Sequence, residues 1–197
     1  MYQQSIIVRT KLVPPRPAQQ TLPRQRITQR LLAAENYRLT IVQAGTGYGK
    51  STALAAFASS QQESFCFVWY RVEAEDSDAQ PFLLHLLHGF GIALPNLSDV
   101  PLAALEAWGQ QRQAPSWTAV TDSLINELAQ KLVQPTFLVL DDVHLINDSS
   151  EPMRILDRLI GLAPDNLHII LATRYPLSPP SLLNWRVRGQ VLEIGQE

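Results

Sequence analysis

Apolar positions along the chain fall into two kinds of run. Short, nearly unbroken ones at Leu39-Thr40-Ile41-Val42-Gln43, 65–71, 136–140, 167–172 and 190–194 predict five strands. Longer stretches between them carry apolar residues at helical spacing. Residues 24–36 place Ile27, Leu31 and Leu32 on one face, and 118–132 align Val120, Leu124, Leu128 and Leu132. Alanine-rich 50–60, the strongly apolar stretch 79–90 with Asp78 as its expected N-cap, and 151–162 predict three further helices. Residues 95–115 are the least regular part, with one short helix expected at about 102–108. Strands alternating with helices predict an α/β fold with a mainly parallel sheet covered on both faces. The proline-rich, basic stretch 1–23 (Lys11-Leu12-Val13-Pro14-Pro15-Arg16-Pro17) predicts an extended leader ahead of a domain over 24–197.

Composition narrows the class. The 197 residues suit one domain, with 46% hydrophobic and 17% charged residues, as in a globular protein. A net charge of -2 gives no electrostatic footprint for nucleic acid. One cysteine, Cys66, excludes an internal disulfide and reads as a small strand residue. The N-terminus lacks a basic region followed by a long apolar core, and the apolar stretch 81–94 is too short to span a bilayer, so a cytoplasmic protein is expected.

The chemistry concentrates in the loop Ala44-Gly45-Thr46-Gly47-Tyr48-Gly49-Lys50-Ser51, between a strand and a helix. A triphosphate needs many donors, a cation and close backbone approach, which a glycine-rich turn at a helix start supplies. Gly45, Gly47 and Gly49 give the permissive backbone, Lys50 would reach the β- and γ-phosphates, and Thr52 suits the α-phosphate. The Ser51 hydroxyl would ligate Mg2+. Ala44 stands where the strict pattern has glycine. Asp141 and Asp142 close an apolar strand: Asp141 would hold the metal through a water, and Asp142 would polarise the attacking water. Thr173-Arg174 ends the next strand at the same sheet edge, where a cation could sense the γ-phosphate. His85 and His88, without acidic or thiol partners in sequence, read as structural; His144, nearer the acidic pair, reads as a packing or hydrogen-bonding residue.

Together these stretches resemble the STAND class of signal-transduction ATPases, and within it the MalT-like regulators that carry a LuxR-type DNA-binding domain. The resemblance runs from Lys11 to Glu197. It rests on Thr10-Lys11-Leu12-Val13-Pro14-Pro15-Arg16-Pro17, the glycine-rich loop, Trp69-Tyr70-Arg71-Val72-Glu73, the run from Leu138 to Ile146 through Asp141-Asp142, Leu171-Ala172-Thr173-Arg174, and 185–194. It makes Ala44 an expected variant, because alanine or serine is frequent there. It implies a P-loop NTPase fold of the additional-strand type, with the Arg174 strand between the phosphate-loop strand and the Asp141 strand. It also implies that Leu22, Pro23 and Arg24 cradle adenine.

The same resemblance implies an ATP/ADP-operated switch, a slow ATPase that self-associates in the ATP form. Winged-helix, sensor and DNA-binding domains would follow residue 197, so the chain is expected to be part of a larger regulator. Two alternatives stay open: a nucleotide-binding assembly module that does not hydrolyse ATP, and a signalling ATPase with no DNA-binding output.

Overall fold

The computed structural model describes residues 7–15, 25–110 and 116–195. Its centre is a five-stranded sheet of β1 (Leu39–Gln43), β2 (Cys66–Arg71), β3 (Thr136–Asp141), β4 (Leu167–Thr173) and β5 (Val191–Ile194). The spatial order is β2-β3-β4-β1-β5, and all four pairings are parallel. β4 thus lies between β1 and β3, as the family resemblance implied. Every residue of β3 and β4 is buried, which explains why they read as continuous apolar runs rather than alternating ones.

Parallel neighbours require crossover helices, and these divide between the faces. Against one face pack α1 (Gln25–Leu32) and α2 (Lys50–Gln61), where Leu31, Leu54 and Phe57 meet Phe137, Val139 and Ile170. Against the other lie α3 (Ala79–Ala93), α4 (Val100–Gln110), α5 (Trp117–Lys131), α6 (Ser150–Leu162) and α7 (Leu182–Val187). The helix after β1 and those after β2, β3 and β4 leave on opposite sides. A crevice therefore opens at the carboxyl ends of β1 and β4, the position where open α/β sheets bind ligands. Ala44 N–H donates to Thr173 O at 3.2 Å across that junction.

Three local expectations are corrected and a fourth, the N-cap of α3, is refined. Within the expected extended leader, Arg9–Leu12 forms a turn of 3-10 helix with Lys11 and Leu12 buried. It docks because Leu12 fits beside Gly89 of α3 and Val8 N–H donates to His85 Nε2 at 3.3 Å. The irregular region holds the eleven-residue α4. Ser98 Oγ accepts from Val100 N–H at 3.3 Å, and Pro101 sits in the first turn, where no amide donor is needed. Asp78 occupies the N-cap position of α3 but makes no side-chain capping bond. The capping box belongs instead to the preceding turn, where Glu73 and Asp76 bond reciprocally to backbone amides. Helix α7, which periodicity did not predict, is held at its start by Asp157, whose carboxylate accepts from Ser181 N–H and Oγ–H at 2.7 and 2.9 Å.

At the β5 edge the Arg30 guanidinium of α1 donates to Glu193 O at 2.8 Å. Arg186 and Glu193 pair above it through Nε–Oε1 at 2.8 Å. Among the described residues no helix is long and apolar enough to cross a membrane.

Candidate nucleotide-binding site

The glycine-rich loop leaves β1 after Gln43 and turns directly into α2. Gly47 (φ 80°) and Gly49 (φ 71°) both take left-handed backbone that side-chain-bearing residues rarely adopt. A Cβ built at either would meet nothing within 4 Å, so the space beside the loop is open to a ligand. Gly45 and Thr46 precede the turn, Tyr48 is exposed at its tip, and Ser51 and Thr52 stand in the first turn of α2. The Lys50 ammonium donates to Ala44 O at 2.5 Å and Gly45 O at 3.2 Å. Burial lowers its pKa, while Asp142 and Asp141 pull it back up and Arg174 adds to the lowering.

Across the crevice stand the acidic residues. Asp141 ends β3 with only 2% of its surface exposed. Burial raises its pKa above the ordinary carboxylate value, opposed by a hydrogen bond from the Ser51 side chain. Ser51 and Asp141, far apart in sequence, thus bring a hydroxyl and a carboxylate oxygen together, a donor set suited to a small hard cation such as Mg2+. Asp142 is the one non-glycine with positive φ (58°) among the described residues. Asp tolerates that region, and the turn exposes its carboxylate beside Arg174 rather than burying it.

Arg174 follows β4 and lies with Nη2 3.7 Å from Asp142 Oδ1. His144 Nδ1 lies 3.8 Å from the same oxygen. Burial holds the imidazole pKa low, with Asp142 pulling it up and Arg174 and Lys50 pushing it down. Its ring packs edge-on against Tyr175 at 5.8 Å, and Nδ1 has no hydrogen-bond partner among the described residues. Lys50, Ser51, Asp141, Asp142 and Arg174 therefore meet at the carboxyl end of the sheet. Leu22, Pro23 and Arg24, the residues expected around adenine, lie outside the described residues.

The sequence did not announce the cleft beside this cluster. It has a volume of about 420 Å³ and is lined by Gln43, Ala44, Gly45, Arg174, Leu177 and Ile194, among others. It forms because the segment after Arg174 folds over the ends of β1 and β5, a long-range arrangement invisible to local patterns. Of the two histidines of α3, His85 is tied into the fold. Buried His85 has Nδ1 2.8 Å from Pro81 O and 3.4 Å from Asp76 Oδ1, while its Nε2 accepts from Val8 N–H at 3.3 Å.

Residues 33–179 match the AAA domain family. Over 194 residues the chain is 34% identical to the HTH-type transcriptional regulator MalT of Serratia proteamaculans, covering 98% of this chain and 20% of that protein. The MalT of Yersinia enterocolitica is 32% identical over the same coverage. The chain therefore spans about one fifth of the length of these relatives. Among solved structures, a chain from Drosophila ORC bound to AT-rich DNA and Cdc6 aligns with a TM-score of 0.55 at 13% identity, over 87% of this chain and 53% of its own. The Aeropyrum pernix ORC1 protein in complex with DNA aligns with 0.52 at 20% identity, over 89% and 45%. At these identities the structural matches speak for the fold alone. The chain belongs to the AAA domain family, as a P-loop NTPase domain related to the MalT regulators.

Proposed function

We propose that this domain binds ATP and ADP with Mg2+ and serves as the nucleotide-operated switch of a larger, cytoplasmic transcriptional regulator of the STAND class, hydrolysing ATP slowly. The observation that carries the proposal is the meeting of Lys50, Ser51, Asp141, Asp142 and Arg174 at the carboxyl end of β1, β3 and β4. The left-handed glycines and the start of α2 would cradle the phosphates through backbone amides. Lys50 would exchange its loop carbonyls for β- and γ-phosphate oxygens. Ser51 and Asp141 would hold the metal, which neutralises charge on the phosphates when bound. Asp142 would orient and deprotonate the attacking water, and Arg174 would touch the γ-phosphate.

The other arginine lining the adjoining cleft, Arg186 of α7, is engaged by Glu193, and an arginine placed on the γ-phosphate is worth roughly 10³–10⁵ in rate in related chemistry. Turnover should accordingly be slow. By similarity to the MalT regulators, DNA would be bound by another domain, and the ATP form would self-associate. The rival possibility is a module that binds nucleotide for assembly and never hydrolyses it. The Arg174–Asp142 ion pair favours it, because it occupies the carboxylate that would otherwise meet the attacking water.

Calorimetric titration with ATP and ADP, with and without Mg2+, alongside phosphate-release assays of wild type and Asp142→Ala, tests the assignment. A slow ATPase keeps nucleotide binding and loses phosphate release in the variant. Phosphate release at tens per second by the wild type, abolished by Lys50→Ala, would sink the slow-switch idea.

A further inference from the structure

Asp142 and Arg174 face each other at the mouth of the site. Arg174 Nη2 stands 3.7 Å from Asp142 Oδ1, with the side chains 39% and 24% exposed respectively. That separation exceeds the 2.7–3.2 Å of an N–H···O hydrogen bond, so the pair is held by charge without a shared proton. Phosphate oxygens form shorter, charge-assisted bonds to guanidinium, often two at once. A phosphate arriving within reach would outcompete the carboxylate. The carboxylate is fixed from the other side: positive φ at Asp142, its N–H donating to Asp141 Oδ1 at 3.0 Å, and Leu145 N–H returning to Asp142 O at 3.0 Å all pin the turn. His144 Nδ1, 3.8 Å from the same Oδ1, gives that oxygen a neighbour whether or not Arg174 stays. The arginine's own backbone is anchored next door, since Thr173 Oγ–H donates to Tyr175 O at 2.6 Å and the Tyr175 N–H returns to the hydroxyl at 3.3 Å. Only the guanidinium end is left to move.

We propose that Asp142 is a specificity-determining residue, competing with the γ-phosphate for Arg174 and so setting how strongly the domain prefers ATP over ADP. The inference rests on the nucleotide reading of the site and adds to it. A nucleoside diphosphate offers no γ-phosphate and leaves the pair intact, whereas a triphosphate must break it. The carboxylate thereby lowers affinity for ATP selectively, in addition to repelling any nucleotide through its charge. Breaking the pair also leaves Asp142 free beside the γ-phosphate when ATP is bound, so one displacement would both sense the triphosphate and release the base.

The test is a double-mutant cycle by calorimetry on the 197-residue chain, using wild type, Asp142→Asn, Arg174→Gln and the double variant. Each is titrated with Mg2+ and either ADP or the non-hydrolysable β,γ-imido analogue of ATP. Asparagine tolerates the left-handed backbone at 142, and thermal unfolding of each variant checks the fold. Asp142→Asn should raise the triphosphate-over-diphosphate affinity ratio roughly fivefold, the scale of a partly exposed ion pair, in the presence of Arg174. It should leave the ratio unchanged in the Arg174→Gln background. An equal rise in both backgrounds would mean a general charge effect and would overturn the competition, as would no rise at all. If wild type binds neither nucleotide, the nucleotide reading itself falls. Should Asp142→Asn unfold, Asp142→Ser in the same cycle replaces it, with the same expected and overturning outcomes.

Discussion

Lys11 and Asp76, 65 positions apart, form an ion pair with Nζ–Oδ2 at 3.1 Å and side-chain exposures of 4% and 0%. Glu73 completes it from the rim, with Oε2 3.2 Å from the same ammonium. Asp76 is further held by the Glu73 N–H at 2.8 Å, which ties the N-terminal turn to the segment leaving β2. Taking Lys11 away removes the lysine cation from a fully buried carboxylate. Lys11→Met should cost about 3–5 kcal/mol in denaturant unfolding, while the exposed Arg71→Met, paired with Glu73 at 3.0 Å, should cost under about 1 kcal/mol. Equal losses would show that the buried pair carries no special weight.

Glycine to alanine should change sign between two places in the fold. At Gly49, φ 71° makes alanine strained although the space is open, so Gly49→Ala should destabilise by about 1–2 kcal/mol. At Gly91, exposed within α3 and likewise free of neighbours within 4 Å, alanine should stabilise by up to about 1 kcal/mol. Paired melting curves measure both, and a common sign would contradict the backbone assignment of the loop.

Asp141 makes stability depend on pH in a direction opposite to that of most carboxylates. Its folded pKa is raised, chiefly by burial, so the folded state holds the proton more tightly than the unfolded one. Its contribution is therefore most favourable below the ordinary value of 3.8 and is lost as pH rises through the folded pKa. Asp141→Asn should raise stability at pH 7, with the gain shrinking toward pH 3.8. A variant less stable than wild type at pH 7 would mean that the Ser51 hydrogen bond outweighs the burial penalty.

Lys50 bonds the carbonyls of Ala44 and Gly45, so its charge is already aimed along the loop. Lys50→Ala should weaken ATP and ADP alike by roughly tenfold to a hundredfold, the scale of one charge-assisted hydrogen bond lost. Titration calorimetry at matched Mg2+ would show it, and unchanged affinity would remove Lys50 from the site.

Legibility in the sequence followed the range of the forces involved. Strands β1, β3 and β4 were readable because burial on both faces demands apolar residues at successive positions. The loop, the acidic pair and Arg174 stood out as candidates because each ends or follows an apolar strand, and parallel pairing puts those ends on one side of the sheet. Strand order came from the family resemblance, since nothing local in Leu167–Thr173 says which neighbour it pairs with. Helix α7 escaped because six residues after Pro179-Pro180 make too little periodicity to detect. Helix α4 extends beyond the expected 102–108 because Pro101 sits in its first turn, where no amide donor is needed. The burial of Lys11 had no local signature, because its partners come from beyond β2. Nor could sequence show that Asp142 and Arg174 share a contact, which exists only once β3 and β4 lie side by side.

The Arg30 contact with Glu193 O has a consequence for how copies of this domain behave at high concentration. β5 ends the sheet with a row of backbone groups turned outward, and such a margin invites strands from other molecules to add on. A guanidinium already seated on the central carbonyl, with the Arg186–Glu193 pair above it, puts charge and bulk where an incoming strand would have to register. Removing Arg30 would thus open the margin to edge-to-edge aggregation, a hazard set apart from anything the nucleotide does.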